Sequence, residues 1–182
     1  MSNLAEYLDQ KADALVALEQ RAASPAYAPS RLAATVTAEG RSGVRRIRIR
    51  EFQILSDSPA DFAGYDLGPS SPEIQLGVLG SCLTHSFLIQ AARYGVQLDA
   101  VSVEVTGKVD ARAGKPGHED TPVFPHDIAY RIDIDSPASE GSIIMLAAAV
   151  ERSCPILNLL RQPQSLRRDL RHNKIAARNA AE

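Results

Sequence analysis

Two cysteines, Cys82 and Cys154, are the residues of this 182-residue chain best suited to covalent chemistry. Cys154 stands directly before Pro155 and an apolar run of Ile156, Leu157, Leu159 and Leu160. Proline suits the first position of a helix, so Cys154 is expected at a helix N-cap. Unpaired amides and the positive end of the dipole there favour the thiolate, which is the form that attacks. Cys82 lies in mid-helix without that help; a low pKa there requires a nearby cation, most simply an arginine, and a path to solvent. Two thiols are too few for a zinc site built on thiolates. A purely structural disulfide is unusual in the cytoplasm, the compartment argued for below. Redox chemistry and two inert, buried thiols remain as the readings.

Other polar groups surround this pair in sequence. Glu73 follows a proline at the mouth of the Cys82 helix, where a carboxylate suits the helix dipole. Its other reading is to hold an arginine, yet nine residues of helix turn by about 900 degrees and put Glu73 and Cys82 on opposite faces. Glu73 could then join the site only from the non-helical entry or through another side chain. His85 and Ser86 lie three and four residues after Cys82 and share its face. A Cys82–His85 nucleophile pair is the alternative this spacing allows, although no carboxylate is positioned to orient the imidazole. A metal site from His85, Cys82 and Cys154 lacks the usual ligand spacings.

The element that must position Cys82 is the stretch Gly68 to Tyr94. Ile74, Leu76, Val78, Leu79, Leu83, Phe87, Leu88 and Ile89 fall on every side of the predicted helix, which is expected as a buried spine. Gly77 and Gly80 each lower helix stability by roughly 1 kcal/mol. They suit a place where another backbone passes close. Before the spine, Leu4, Leu8, Leu15, Leu18 and Ala22 predict an amphipathic helix of roughly six turns that packs on the domain or on a second subunit. Period-two patterns over 32–38 and 44–55 predict two strands joined by Glu39 to Gly43. Ile47, Ile49 and Ile54 would face the core, with Arg46, Arg48 and Arg50 opposite. The long loop from Ser56 to Pro72 is of the kind that often carries function.

After the stop signal at Gly95, Val101, Val103, Val105 and Val109 predict a half-buried strand. Ile128, Tyr130, Ile132 and Ile134 predict its antiparallel neighbour. Between them, 112–121 reads as a surface loop with a solvated His118. A packed helix is expected over Ile143 to Val150, another after Pro155, and a last strand around Leu166 and Leu170 before a frayed end.

Composition bounds the rest. An apolar share of 45%, with no run approaching the ~18 residues that cross a bilayer, predicts a soluble protein. The N-terminus shows no secretory pattern, so a cytoplasmic address is expected. A formal net charge of -2 offers no general attraction for nucleic acid or for an anionic membrane, and neither is expected as a partner.

The run Gly64-Tyr-Asp-Leu-Gly-Pro-Ser-Ser-Pro-Glu73, the small-residue helix reaching Gly-Ser-Cys82, the valine-alternating strand and the late Ala147-Ala-Ala-Val-Glu-Arg-Ser-Cys154-Pro155 together resemble the OsmC/Ohr superfamily of osmotically inducible and organic hydroperoxide resistance proteins. The resemblance covers roughly Leu32 to Leu170. It implies an α+β OsmC-like fold, antiparallel sheets wrapped around long buried central helices in an intertwined homodimer with sites at the subunit interface. The partition implied is an N-terminal helical extension over 1–24, an OsmC-like domain over 30–172 and a frayed tail over 173–182. The resemblance also implies roles. Cys82 would be the peroxide-reacting thiol, Cys154 the resolving one, Arg41 in the first hairpin the site arginine with Arg50 in reserve, and Glu73 its holder. Glu73 to Cys82 is one residue shorter than in the organic hydroperoxide branch and closer to the looser OsmC-like branch. The activity implied is a thiol peroxidase that reduces organic hydroperoxides through a Cys82–Cys154 disulfide. It needs no bound cofactor and is restored by an external dithiol of the lipoyl type. The alternative is a non-catalytic OsmC-like dimer that senses redox state or binds an apolar ligand.

Overall fold

A computed structural model describes residues 4–174 of the chain. Helix α1 (Leu4–Ala22) opens it and packs on the later helix α2. Its amphipathic pattern places Leu8 in the core. Strands β1 (Thr35–Ala38), β2 (Arg45–Ile49) and β3 (Phe52–Ser56) form an antiparallel sheet in that order. The run 44–55, expected as one strand, is therefore two. Ile49 pairs with Phe52, so the chain reverses at Arg50 and Glu51, and Arg50 adopts a positive φ of 53°. Arg50 sits in this turn and not on the face it was expected to share with Arg46 and Arg48.

Register explains the two faces of this sheet. Val36, Ile47 and Ile54 stand in one cross-strand row, and the pleat puts Ile49 and Phe52 on the same side. Among the described residues nothing covers that side fully: Val36 is 55% exposed, Phe52 63% and Ile54 41%. On the other side Arg46 is held by Glu39 and by Gln53.

From β3 the chain passes through the loop 57–70, which is knotted around Asp57. This fully buried carboxylate accepts from the amides of Tyr65 and Leu67 through Oδ2, at 2.9 and 3.2 Å. Arg45 ties the same point from β2, donating to Ser56 Oγ and the Asp57 carbonyl. The loop folds tightly enough that a Cβ on Gly64 would lie 1.7 Å from the Ser58 carbonyl oxygen. Only glycine fits there.

Helix α2 (Ser71–Tyr94) is the spine. Leu79, Leu83, Phe87 and Ala91 repeat every four residues and are essentially without solvent contact. Strand β4 (Ala100–Lys108) crosses α2 on one side, paired antiparallel with β5 (His126–Asp135). The rows Val101–Ile134, Val103–Ile132 and Val105–Tyr130 face inward. Gly80 lets β4 approach: its Cβ would meet Val105 Cγ2 at 3.3 Å. Among the described residues Gly77 has no such neighbour, and Gly77, Val78, Ser81 and His85 leave one flank of α2 open. The expectation that no face of the spine meets solvent thus fails along that flank, because the described residues supply partners only for the others. Against expectation, too, α2 is long and apolar enough to cross a bilayer; its small uncharged residues, Gly77, Gly80, Ser81 and Thr84, break the apolar run without adding charge.

Gly95 ends α2 in the left-handed conformation at φ 64°. Helices α3 (Glu140–Ser153) and α4 (Pro155–Arg161) then pack on α2 and bend by 63° at the junction between them. The strand expected around Leu166 and Leu170 does not form. The segment 162–174 is irregular and both leucines are exposed, since two apolar residues four apart have no sheet edge to join. Of the tail expected over 173–182, positions 175–182 lie outside the described residues.

Candidate active site

Cys82 projects from the middle of α2, and Cys154 occupies the bend between α3 and α4. Proline at 155 cannot continue α3, and Cys154 takes an extended conformation (φ -68°, ψ 114°) as the N-cap of α4. Three contacts hold the bend. Asn158 Nδ2 donates to the Cys154 carbonyl at 2.8 Å, which also takes the Asn158 amide, and to the Glu151 carbonyl at 3.2 Å, an acceptor that Pro155, lacking an N–H, leaves free. Gln90 of α2 donates to Ser153 Oγ at 2.9 Å, which fixes the end of α3 against the spine. Tyr130 donates to Glu151 at 2.7 Å. None of these ties is visible in the spacing of the two cysteines.

The two sulfurs meet. Cys154 Sγ lies 3.4 Å from Cys82 Sγ, both thiols being free. Cys154 is fully buried, whereas Cys82 is half-buried and lines an open cleft of about 520 Å³ with Ile74, Gly77, Val78, Ser81, His85 and Ile156. Burial pushes the Cys82 thiol up, and the neighbouring Cys154 adds to this; the Ile156 amide and the Ser86 hydroxyl pull the other way. No arginine lines the cleft among the described residues.

The charged candidates stand elsewhere. Glu73 receives the Ser70 amide and the Ser70 hydroxyl on Oε2, at 2.7 and 2.6 Å, in the manner of a capping box. The Ser70 hydroxyl first, then its amide, holds the Glu73 carboxyl below the usual range. Glu73 lines a second cleft, of about 390 Å³, on the neighbouring flank of α2; Gly77 and Ser81 border both. This agrees with the half-turn offset that helix geometry requires between residues 73 and 82. Arg41 is exposed in the turn between β1 and β2, and Arg50 in the turn between β2 and β3. The structure therefore unites Cys82 with Cys154 and leaves Arg41, Arg50 and Glu73 apart from them in the single chain.

His85 shares the cleft, and its Nε2 meets Lys11 Nζ of α1 at 3.3 Å. Lys11 was not singled out in the sequence, since nothing in a linear pattern pairs residues 74 positions apart. No group of three or more His, Cys, Asp or Glu able to hold a metal exists among the described residues.

An apolar helix and a helix break that bring two free thiols into contact, flanked by the antiparallel pair β4–β5, define an α+β dithiol protein. Residues 64–167 match the OsmC-like protein family, and the chain belongs to that family. Solved structures share the fold. An OsmC-like protein of Mycoplasma pneumoniae superposes with a TM-score of 0.64 at 21% identity, over 74% of this chain and 89% of that one. An organic hydroperoxide resistance protein of Legionella pneumophila gives 0.55 at 16% identity, over 74% and 92%. An OsmC-like protein of unknown function from Vibrio cholerae gives 0.56 at 13% identity, over 72% and 94%. No match was found among curated proteins.

Proposed function

We propose that this protein is a thiol-dependent peroxidase that reduces organic hydroperoxides to alcohols. The observation that carries the reading is the 3.4 Å approach of the two sulfurs. The accessible sulfur, Cys82, attacks as thiolate on the distal peroxide oxygen. The O–O bond breaks, the alkoxide takes a proton and departs as alcohol, and Cys82, oxidised by two electrons, is left as a sulfenic acid. Cys154 then attacks that sulfur and expels the hydroxyl as water, closing a disulfide of about 2.05 Å. An external dithiol of the lipoyl type reduces the disulfide and restores both thiols; no bound cofactor takes part. A reducing cytoplasm suits this cycle.

The reading includes a homodimer. What supports it is the uncovered apolar face of β1 to β3 in a chain whose α2 also keeps an open flank. The sheet of one copy over the α2 of the other would bring Arg41 of the partner subunit to Cys82, with Glu73 within reach to hold the guanidinium. Cumene hydroperoxide with a dithiol tests the reading. Wild type is expected to consume the peroxide and Cys82→Ser to consume none, while Cys154→Ser halts at a sulfenic acid that dimedone captures. Peroxide consumption by Cys82→Ser at the wild-type rate rejects the mechanism.

One observation favours a second reading, a non-catalytic dimer that senses redox state or binds an apolar ligand: among the described residues no arginine lines the cleft, and burial pushes its thiol up. That reading expects no peroxide consumption and a ligand-dependent rise in Tm.

A further inference from the structure

Building on the peroxidase reading, we propose that Lys11 and His85 form a proton relay that serves the leaving oxygen of the peroxide. His85 lies three residues after Cys82 on α2, so the two side chains are neighbours on one face, and both line the open cleft. Lys11 reaches across from α1 to put Nζ 3.3 Å from His85 Nε2, its ammonium also standing 5.4 Å from the centre of the Tyr7 ring. An ammonium can only donate. Nε2 is therefore the acceptor, and the single proton of the neutral imidazole sits on Nδ1.

This state is wrong for taking a proton from Cys82 and right for giving one away. When Cys82 breaks the O–O bond, the departing alkoxide is a strong base that needs a proton at once. Of the other groups of this chain lining the cleft, Ile74, Gly77, Val78 and Ile156 have none to give, Ser81 is a weak acid, and Cys82 has become the electrophile; the guanidinium that the peroxidase reading brings from a second copy donates hydrogen bonds and keeps its proton. The balance closes through the pair. The Nδ1 proton of His85 passes to the alkoxide oxygen while a Lys11 Nζ proton passes to Nε2; the alcohol leaves, the imidazole stays neutral, and the relay resets when Lys11, left as the amine, takes back the Nε2 proton and water restores the one on Nδ1. His85 acts on the reacting oxygen, and Lys11 acts through it. Helix α1 lies outside the family-matched residues 64–167, so in this chain the extension supplies the acid.

The test compares leaving groups. Lys11→Met and His85→Gln are assayed with tert-butyl hydroperoxide, whose alkoxide must be protonated, and with peracetic acid, whose acetate need not be. The relay expects each variant to lose roughly a hundredfold in kcat/KM toward tert-butyl hydroperoxide. It also expects rates toward peracetic acid, and toward iodoacetamide at Cys82, to stay at wild-type values, and the double variant to be no worse than His85→Gln alone. Equal losses toward both peroxides, or none toward either, overturn it. If wild type consumes neither peroxide, the peroxidase reading falls and the relay with it; if wild type consumes both and the variants match it, the relay alone falls. Both side chains are at the surface or half-buried, and an unchanged Tm confirms that the variants are folded.

Discussion

Cys82 combines access with a handicap, because the burial that shapes its cleft also pushes its thiol up. Among the described residues only an amide and a hydroxyl oppose that effect, and neither carries charge. An arginine delivered by a second copy would reverse it. Iodoacetamide alkylation of Cys82 followed against pH is expected to move its midpoint upward by about one unit in Arg41→Ala and to stay in place in Arg50→Ala. An unmoved midpoint in the first variant removes Arg41 from the site. Asp57 offers a second test at this scale. The Ser58, Tyr65 and Leu67 amides hold its carboxyl below the ordinary range despite burial. A lowered folded-state value stabilises the protein above the unfolded pKa of about 3.9 and stops doing so as pH falls through the folded value. Asp57→Asn is therefore expected to melt below wild type at pH 7, with the two curves converging in acid.

Among the elements, α2 decides the geometry of everything else. Its buried stripe faces α1, α3, α4 and β4, so one side chain serves several interfaces. Phe87→Ala is expected to cost about 3–5 kcal/mol in urea unfolding, the range for a large aromatic removed from a closed core. Gly80→Val is expected to cost about 1–3 kcal/mol, since Val105 already stands at contact distance from the added Cβ. The bend between α3 and α4 matters differently: it contributes little area and sets where Cys154 points. Loss of the Asn158 tie in Asn158→Ala should leave the fold standing and slow disulfide closure after peroxide, read as a longer-lived dimedone-reactive sulfenic acid.

For the whole molecule, the exposed apolar side of β1 to β3 asks for a cover. Phe52 at 63% exposure and Val36 at 55% belong to a continuous cross-strand surface, which a lone chain seldom leaves open. Light scattering is expected to give twice the chain mass for wild type and the single mass for Phe52→Glu, with peroxide consumption lost together with the dimer. A monomeric wild type that still turns over would remove the partner's arginine from the mechanism.

Periodicity and turn chemistry determined much of this protein without coordinates. The alternation over Val101 to Val105 and Ile128 to Ile134 specified two strands, Pro155 specified the break that makes Cys154 an N-cap, and Tyr94-Gly95 specified the end of the spine. Such signals are local, each read within a few residues. Tertiary structure alone decided the reversal at Arg50, because a period-two pattern states which side of a strand is apolar and not where the strand turns back. It alone decided that residues 82 and 154 meet, through Gln90, Ser153 and Asn158, and that Lys11 reaches His85. Contacts between distant positions arise when packed helices choose their crossing, and that choice is made by the summed core, which no single segment contains.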